Sequence, residues 1–203
     1  LFRSTSFIIS GLMVSIYACT DKLMLKQMLG EASVGYYSLA SAISVSWAFV
    51  LSAIIDSLYP EIVQSFNTNR IYYERKNRQL YAIVFYTSLF MSAAICLLAR
   101  PFIEILYGAS YLPAVQPLRI VVWYTAFSYL GVARNAWMVC ENRQKYLKYL
   151  YMGAAAINVV LNLLFIPPWG ASGAAAASLL TQIATTVLLP AVIRPLRANT
   201  KLM

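Results

Sequence analysis

Charged side chains divide this sequence into long apolar stretches, and each stretch predicts a helix. The stretches run over about 4–29, 32–58, 80–99, 116–140, 149–166 and 171–193, bounded by charge clusters, by Gly30 or by the PPWG turn at Pro167 to Gly170. A helix needs ~20 apolar residues to cross about 30 Å of hydrocarbon, so each reads as a candidate span. Residues 64–79 carry Arg70, Glu74, Arg75, Lys76 and Arg78 and read as a cytoplasmic loop or surface helix. The string PFIEILYG at 101–108 is too short to cross, and predicts an interfacial helix ended by Gly108. No strand-like alternation occurs, which favours an all-α integral membrane protein with a six-transmembrane-helix bundle over a barrel.

Composition agrees with that reading. Of 203 residues, 61% are hydrophobic and 11% charged, against roughly 45–50% and about 25% in soluble domains. The first residue is Leu1 and no leader pattern precedes the first span, so the chain reads as part of a longer protein. The net charge of +9 is better explained by loops facing an anionic inner leaflet than by nucleic acid, which is not expected as a partner. Placing the amino end in the cytoplasm puts Arg3, Arg70, Arg75, Lys76, Arg78, Arg143, Lys145, Lys148, Arg194, Arg197 and Lys201 on that side. Lys22, Lys26 and Arg100 fall opposite, so both ends are expected to be cytoplasmic. Cys19, Cys96 and Cys140 are scattered and histidine is absent, which argues against a disulfide framework, a metal site and His-based catalysis. No cofactor is expected.

Polar residues inside the spans are the candidate chemistry. Lys22 and Lys26 stand four apart, a like-charge pair that needs something negative nearby unless both snorkel to the outer interface. Asp21 reads as a proton or sodium coupling site, or as a partner for a lysine. Asn158 and Asn162 share a face of the fifth span, where a carboxamide needs a partner from another helix or a wet cavity. Arg134 lies roughly 10 Å from Glu141 along its helix. An arginine at that depth marks a functional site unless it pairs with Asp56 or Glu141. The string GASGAAAASLL supplies small residues for close helix crossing; it lacks the GK[ST] element of a phosphate loop.

Several strings together resemble one family. TDKLMLKQMLGEASVGYYSLASAIS, SLYPEI, LYGASYLPAVQPLRIVVW, ENRQK and INVVLNLLFIPPWGASGAAAAS, in that order, are similar to the polysaccharide-transport branch of the multidrug, oligosaccharidyl-lipid and polysaccharide exporter superfamily. The resemblance implies one lobe of a two-lobed, twelve-helix exporter, here the C-terminal lobe, whose partner is an N-terminal six-helix lobe. It implies translocation of a polyprenyl-pyrophosphate-linked oligosaccharide, such as an O-antigen repeat unit, across the bacterial inner membrane by alternating access. By position it places the family's seventh-helix acid at Asp21 and the following lysine at Lys22. Its preference for cavity cations extends to Arg134, with Asn158 and Asn162 as further substrate-binding candidates. The alternatives are a multidrug or cation antiporter of the same superfamily and a membrane-embedded glycan-assembly enzyme. The enzyme would need a nucleophile with a base or an acid cluster, and no histidine or DxD pair is present.

Overall fold

The computed structural model describes residues 19–203, and the part of the first expected span at 4–18 lies outside the described residues. All regular structure among the described residues is helical: α1 (19–29), α2 (Glu31–Ser46), α3 (Phe49–Thr68), α4 (Arg70–Tyr107), α5 (Val115–Val121), α6 (Tyr124–Cys140), α7 (Leu147–Ile183), α8 (Leu189–Val192) and α9 (Arg197–Thr200). Short 3-10 turns at Ala109–Ala114, Gln144–Tyr146 and Arg194–Leu196 join neighbours, and a π-helical turn at Ala184–Leu188 prolongs α7. Among the described residues three helical stretches, Glu31–Thr68, Arg70–Tyr107 and Gln144–Val192, are long and apolar enough to cross a membrane.

The last of these reverses at Gly170, whose φ of 57° and ψ of −132° leave the helical region. Asn162 and Ser178 both hydrogen-bond the carboxylate of Asp21. In a straight helix those sixteen residues would span about 24 Å. Pro167 to Gly170 therefore turns α7 into two antiparallel limbs. The limbs meet so closely that a Cβ on Gly173 would lie 2.0 Å from the backbone oxygen of Phe165.

Two segments differ from their sequence reading, and a third, read as a loop or a surface helix, is helical on both sides of one corner. Residues 64–79 hold no extended loop: α3 ends at Thr68, and the Asn69 side chain caps the next helix by accepting from the backbone N–H groups of Ile71 and Tyr72 at 3.0 and 3.1 Å. Residues 101–107 are the last turns of the 38-residue α4, not a separate interfacial helix. Pro101 removes one N–H, but Ala99 and Ile103 on either side remain fully buried and hold the helix on course. The stretch 116–140 breaks at Val122–Trp123. Serines from two other helices take the carbonyls at the break, Ser44 donating to Val121 at 3.1 Å and Ser92 to Val122 at 3.0 Å.

Large apolar side chains face outward, among them Phe90 at 72% exposure and Leu97 at 78%. The buried set includes an aspartate, an arginine, three asparagines on α4 and α7, and several hydroxyls. Apolar outside with polar inside suits hydrocarbon as solvent. Two apolar clusters occupy the ends of the interior. One gathers Leu25, Tyr37, Ile103, Leu118, Ile166 and Ala174; the other gathers Ile62, Tyr73, Leu80, Trp137, Leu150 and Leu196. Along α7 the order is Leu150, then Asn158 and Asn162, then Ile166, and in the returning limb Ala174, then Ser178, Thr181 and Thr185, then Leu196 beyond it. Asp21, Asn158, Asn162, Ser178, Thr181 and Thr185 thus form a polar layer between the two clusters, whereas Ser65, Asn77 and Asn199 are buried among residues of the second.

Gly173→Ala is expected to lower the thermal unfolding temperature in detergent and the membrane abundance, because a backbone oxygen cannot move aside for the new methyl. Gly35→Ala, inside α2 with nothing within 4 Å of its Cβ position, is expected to be neutral or stabilising by up to about 1 kcal/mol. Equal behaviour of the two variants would contradict the hairpin.

Candidate functional site

Asp21 is 4% exposed, and three helical segments converge on it. The carboxamide nitrogens of Asn158 and Asn162 donate to its Oδ1 at 2.9 and 2.6 Å. Oδ2 accepts from the Tyr37 hydroxyl at 2.6 Å and from the Ser178 hydroxyl. Removing a carboxylate from water costs several kcal/mol, and each hydrogen bond to a charged group returns about 1.5–3 kcal/mol. Four donors are the number two carboxylate oxygens can fully use. Asn162 also donates to Asn158 Oδ1 at 3.0 Å, which fixes both amide orientations. Its own Oδ1 is buried and has no partner among the described residues. An acceptor left open beside a carboxylate is a place for a small cation or a water proton.

The Asp21 centre opens onto a cavity of about 320 Å³ lined also by Lys22, Ser38, Ser41, Ser44 and Tyr124. Lys22 is exposed at its edge and forms no ion pair among the described residues, whereas Lys26 pairs with Glu31 at 3.0 Å across the Gly30 turn. Of the five residues singled out from the sequence, Asp21, Asn158 and Asn162 are in direct contact and Lys22 borders the same cavity. Arg134 stands apart. It is 4% exposed, and its Nη1 lies 3.4 and 3.3 Å from the carbonyls of Thr185 and Thr186. Neither acid proposed for it is its partner: Glu141 is bound by Arg70, and Asp56 is exposed on α3. Among the described residues no three His, Cys, Asp or Glu side chains gather as a metal site.

Tyr37 and Ser178 were not singled out by the sequence reading, yet symmetry about the turns marks both. Asp21 lies nine residues before Gly30 and Tyr37 seven after it, so two helices folded back there face them at matched height. Asn162 and Ser178 are each eight residues from Gly170. Polar residues at equal distance on each side of Gly170, and within two residues of equal on each side of Gly30, were the available signal.

Outward-facing apolar side chains on helices long enough to cross a membrane, around a buried polar layer, mark a multi-pass helical membrane protein. The polysaccharide biosynthesis protein family matches residues 2–116, more than half of the sequence, and the chain belongs to that family, the polysaccharide branch its strings resemble. No curated protein matches it. Its fold is similar to that of a solved structure described as the outward-facing conformation of a multidrug resistance MATE family transporter of the MOP superfamily. The TM-score is 0.76 at 14% identity, over 97% of this chain and 44% of the other. The chain thus spans less than half the length of that transporter.

Asn158→Ala removes one donor from Asp21 and is expected to destabilise the protein by about 1–3 kcal/mol in detergent unfolding. Combined with Asp21→Asn, the losses should fall short of their sum by about 0.5 kcal/mol or more, as contacting residues do. Strict additivity would mean that the two side chains do not share a hydrogen bond.

Proposed function

We propose that this chain is one lobe of a flippase that moves a polyprenyl-pyrophosphate-linked oligosaccharide from the cytoplasmic to the outer leaflet of a bacterial inner membrane. In this reading it acts with a second six-helix lobe by alternating access, and its own helices supply six spans. The observation that carries the proposal is the Asp21 centre. A saturated carboxylate and an open carboxamide oxygen, held between helices and bordering a cavity that Lys22 and several serines also line, suit an ion-coupled transporter. One carboxylate among neutral oxygens matches the charge of a monovalent cation, sodium or a proton, better than that of a divalent metal. A headgroup of sugars and diphosphate cannot cross hydrocarbon unaided, so the protein must offer it a polar path. Lys22 at the cavity edge and Arg134 deeper in are the cationic candidates along that path, with Asn158 and Asn162 behind them.

A second reading, a multidrug or cation antiporter, is favoured by the likeness to a multidrug resistance transporter and by the acid being the most enclosed charge of the cavity. Deletion of the complete gene separates the two. The flippase reading expects loss of surface polysaccharide and accumulation of finished lipid-linked repeat units inside the cell, restored by the wild-type gene but not by Asp21→Asn at equal abundance. Unchanged polysaccharide with new sensitivity to cationic drugs would favour the antiporter. Missing or incomplete repeat units would favour an assembly enzyme.

The orientation belongs to the same proposal, with both ends in the cytoplasm. The charged end of the bundle holds the Asn69 corner, Asn142 and the Arg194–Lys201 segment. The turns at Gly108 and Gly170 lie at the opposite end. Single cysteines at Ala109 and Trp169, both exposed, should react in intact cells with a membrane-impermeant thiol reagent, and one at Asn142 should not. Labelling at Asn142 alone would invert the topology.

A further inference from the structure

Arg134 is held where a neutral side chain would meet most of the local structural need, and that mismatch points to a ligand. Pro190 has no N–H, so the Thr186 carbonyl four residues earlier lacks its α-helical donor. The Thr185 carbonyl likewise lacks a donor in the wider register of the π-helical turn. The Arg134 Nη1 substitutes for both at long hydrogen-bond distance. Carbonyl dipoles do not supply a countercharge, however, and Arg134 Nε is buried without a partner among the described residues. The seven acids of the chain lie elsewhere. Glu31, Glu61, Glu74, Glu104 and Glu141 pair with other cations, Asp21 is saturated by neutral donors, and Asp56 is exposed. A buried guanidinium without an anion loses several kcal/mol of hydration uncompensated.

Beside the guanidinium lies a pocket of about 170 Å³ walled by Tyr124, Ser128, Asn135, Tyr151 and Gln182, all able to donate hydrogen bonds, with Gly131 leaving room at the floor. It contains no acid. Its volume is ample for a single phosphate group. We infer that this pocket is an oxyanion site that receives one phosphoryl group on Arg134. Identifying its physiological occupant as the diphosphate of the transported lipid rests on the flippase reading; the oxyanion chemistry does not. The site is separate from the Asp21 centre, although Tyr124 lines both cavities.

The test uses the full-length protein in phosphatidylcholine nanodiscs and radiolabelled inorganic pyrophosphate, with bound label and thermal unfolding both measured. Wild type and Gly35→Ala should bind pyrophosphate and be stabilised by it. Arg134→Gln should weaken binding at least tenfold, and Arg134→Lys less, since a point charge remains without the planar fork. Gly131→Leu keeps the guanidinium in the sequence but places apolar bulk where a Cβ would already stand 3.7 Å from Gln182 Nε2 and 4.0 Å from Arg134 Nη2, and should also weaken binding at least tenfold. That variant keeps the test decisive if Arg134→Gln does not fold. A parallel arm replaces part of the lipid with phosphatidylglycerol: competition with pyrophosphate would show that a bilayer headgroup reaches the same site. Equal pyrophosphate binding by wild type, Arg134→Gln and Gly131→Leu, or no binding by any, would overturn the inference. Because binding is read on purified protein, those outcomes are independent of whether gene deletion abolishes polysaccharide export.

Discussion

Inside hydrocarbon no water is at hand to satisfy a stray polar group, and Asp21 is where that constraint falls hardest. Its carboxylate has to find its donors within the chain, and it finds them in Tyr37 across the Gly30 turn and in both limbs of the α7 hairpin. Each of these contacts ties together segments far apart in sequence, up to 157 residues for Ser178. The geometry of both turns is therefore bound to one side chain. Gly30 and Gly170 reverse the chain at distances that bring Tyr37, Asn162 and Ser178 to a common height, and apolar clusters above and below close the layer.

The same constraint explains how this bundle tolerates broken helices. At Val122–Trp123 the ladder is interrupted; Ser44 donates to the Val121 carbonyl, and Ser92 joins the Thr125 N–H on the Val122 carbonyl. Thr125 also donates to the Ser44 carbonyl at 3.1 Å, so the repair is reciprocal. Near Pro190 the substitute is Arg134, and the Thr186 hydroxyl in turn reaches the Phe127 carbonyl at 2.9 Å. Irregular backbone at membrane depth persists where protein side chains satisfy it or where it lines a cavity. Both breaks here border cavities, and the polar residues that repair them lie within a turn or two of the residues that line those cavities.

Much of this was legible in the sequence because cost in hydrocarbon makes charge a reliable punctuation mark. Asp21, Asn158 and Asn162 could be singled out from type and position alone, and the structure joins them. The merging of 101–107 into α4 was hidden because a proline after twenty uncharged residues looks like a terminus, and only packing of Ala99 and Ile103 tells otherwise. The break at Val122 was hidden because VVWYT is apolar and carries no glycine or proline; its cause lies in Ser44 and Ser92, distant in sequence. Arg134 was legible as an anomaly, while its contacts were not. Charge suggested Asp56 or Glu141, whereas the carbonyls exposed by Pro190, 56 residues away, lie in front of it.

The C-terminal limb of α7 connects the two centres physically. Ser178 touches Asp21 and Thr185 touches Arg134, and seven helical residues at ~1.5 Å each separate them by about 10 Å along the axis. On the proposed reading a monovalent cation occupies one end of that limb and an oxyanion the other. Opposite unit charges about 10 Å apart attract by roughly 1.7 kcal/mol at an effective dielectric constant near 20. That corresponds to roughly fifteen- to twentyfold in affinity, within the range of measured couplings between sites, and it acts equally in both directions. Simple Coulomb attraction across one helix limb is then enough to make cation occupancy favour the loaded carrier and cation release favour discharge, without any rearrangement inside the lobe.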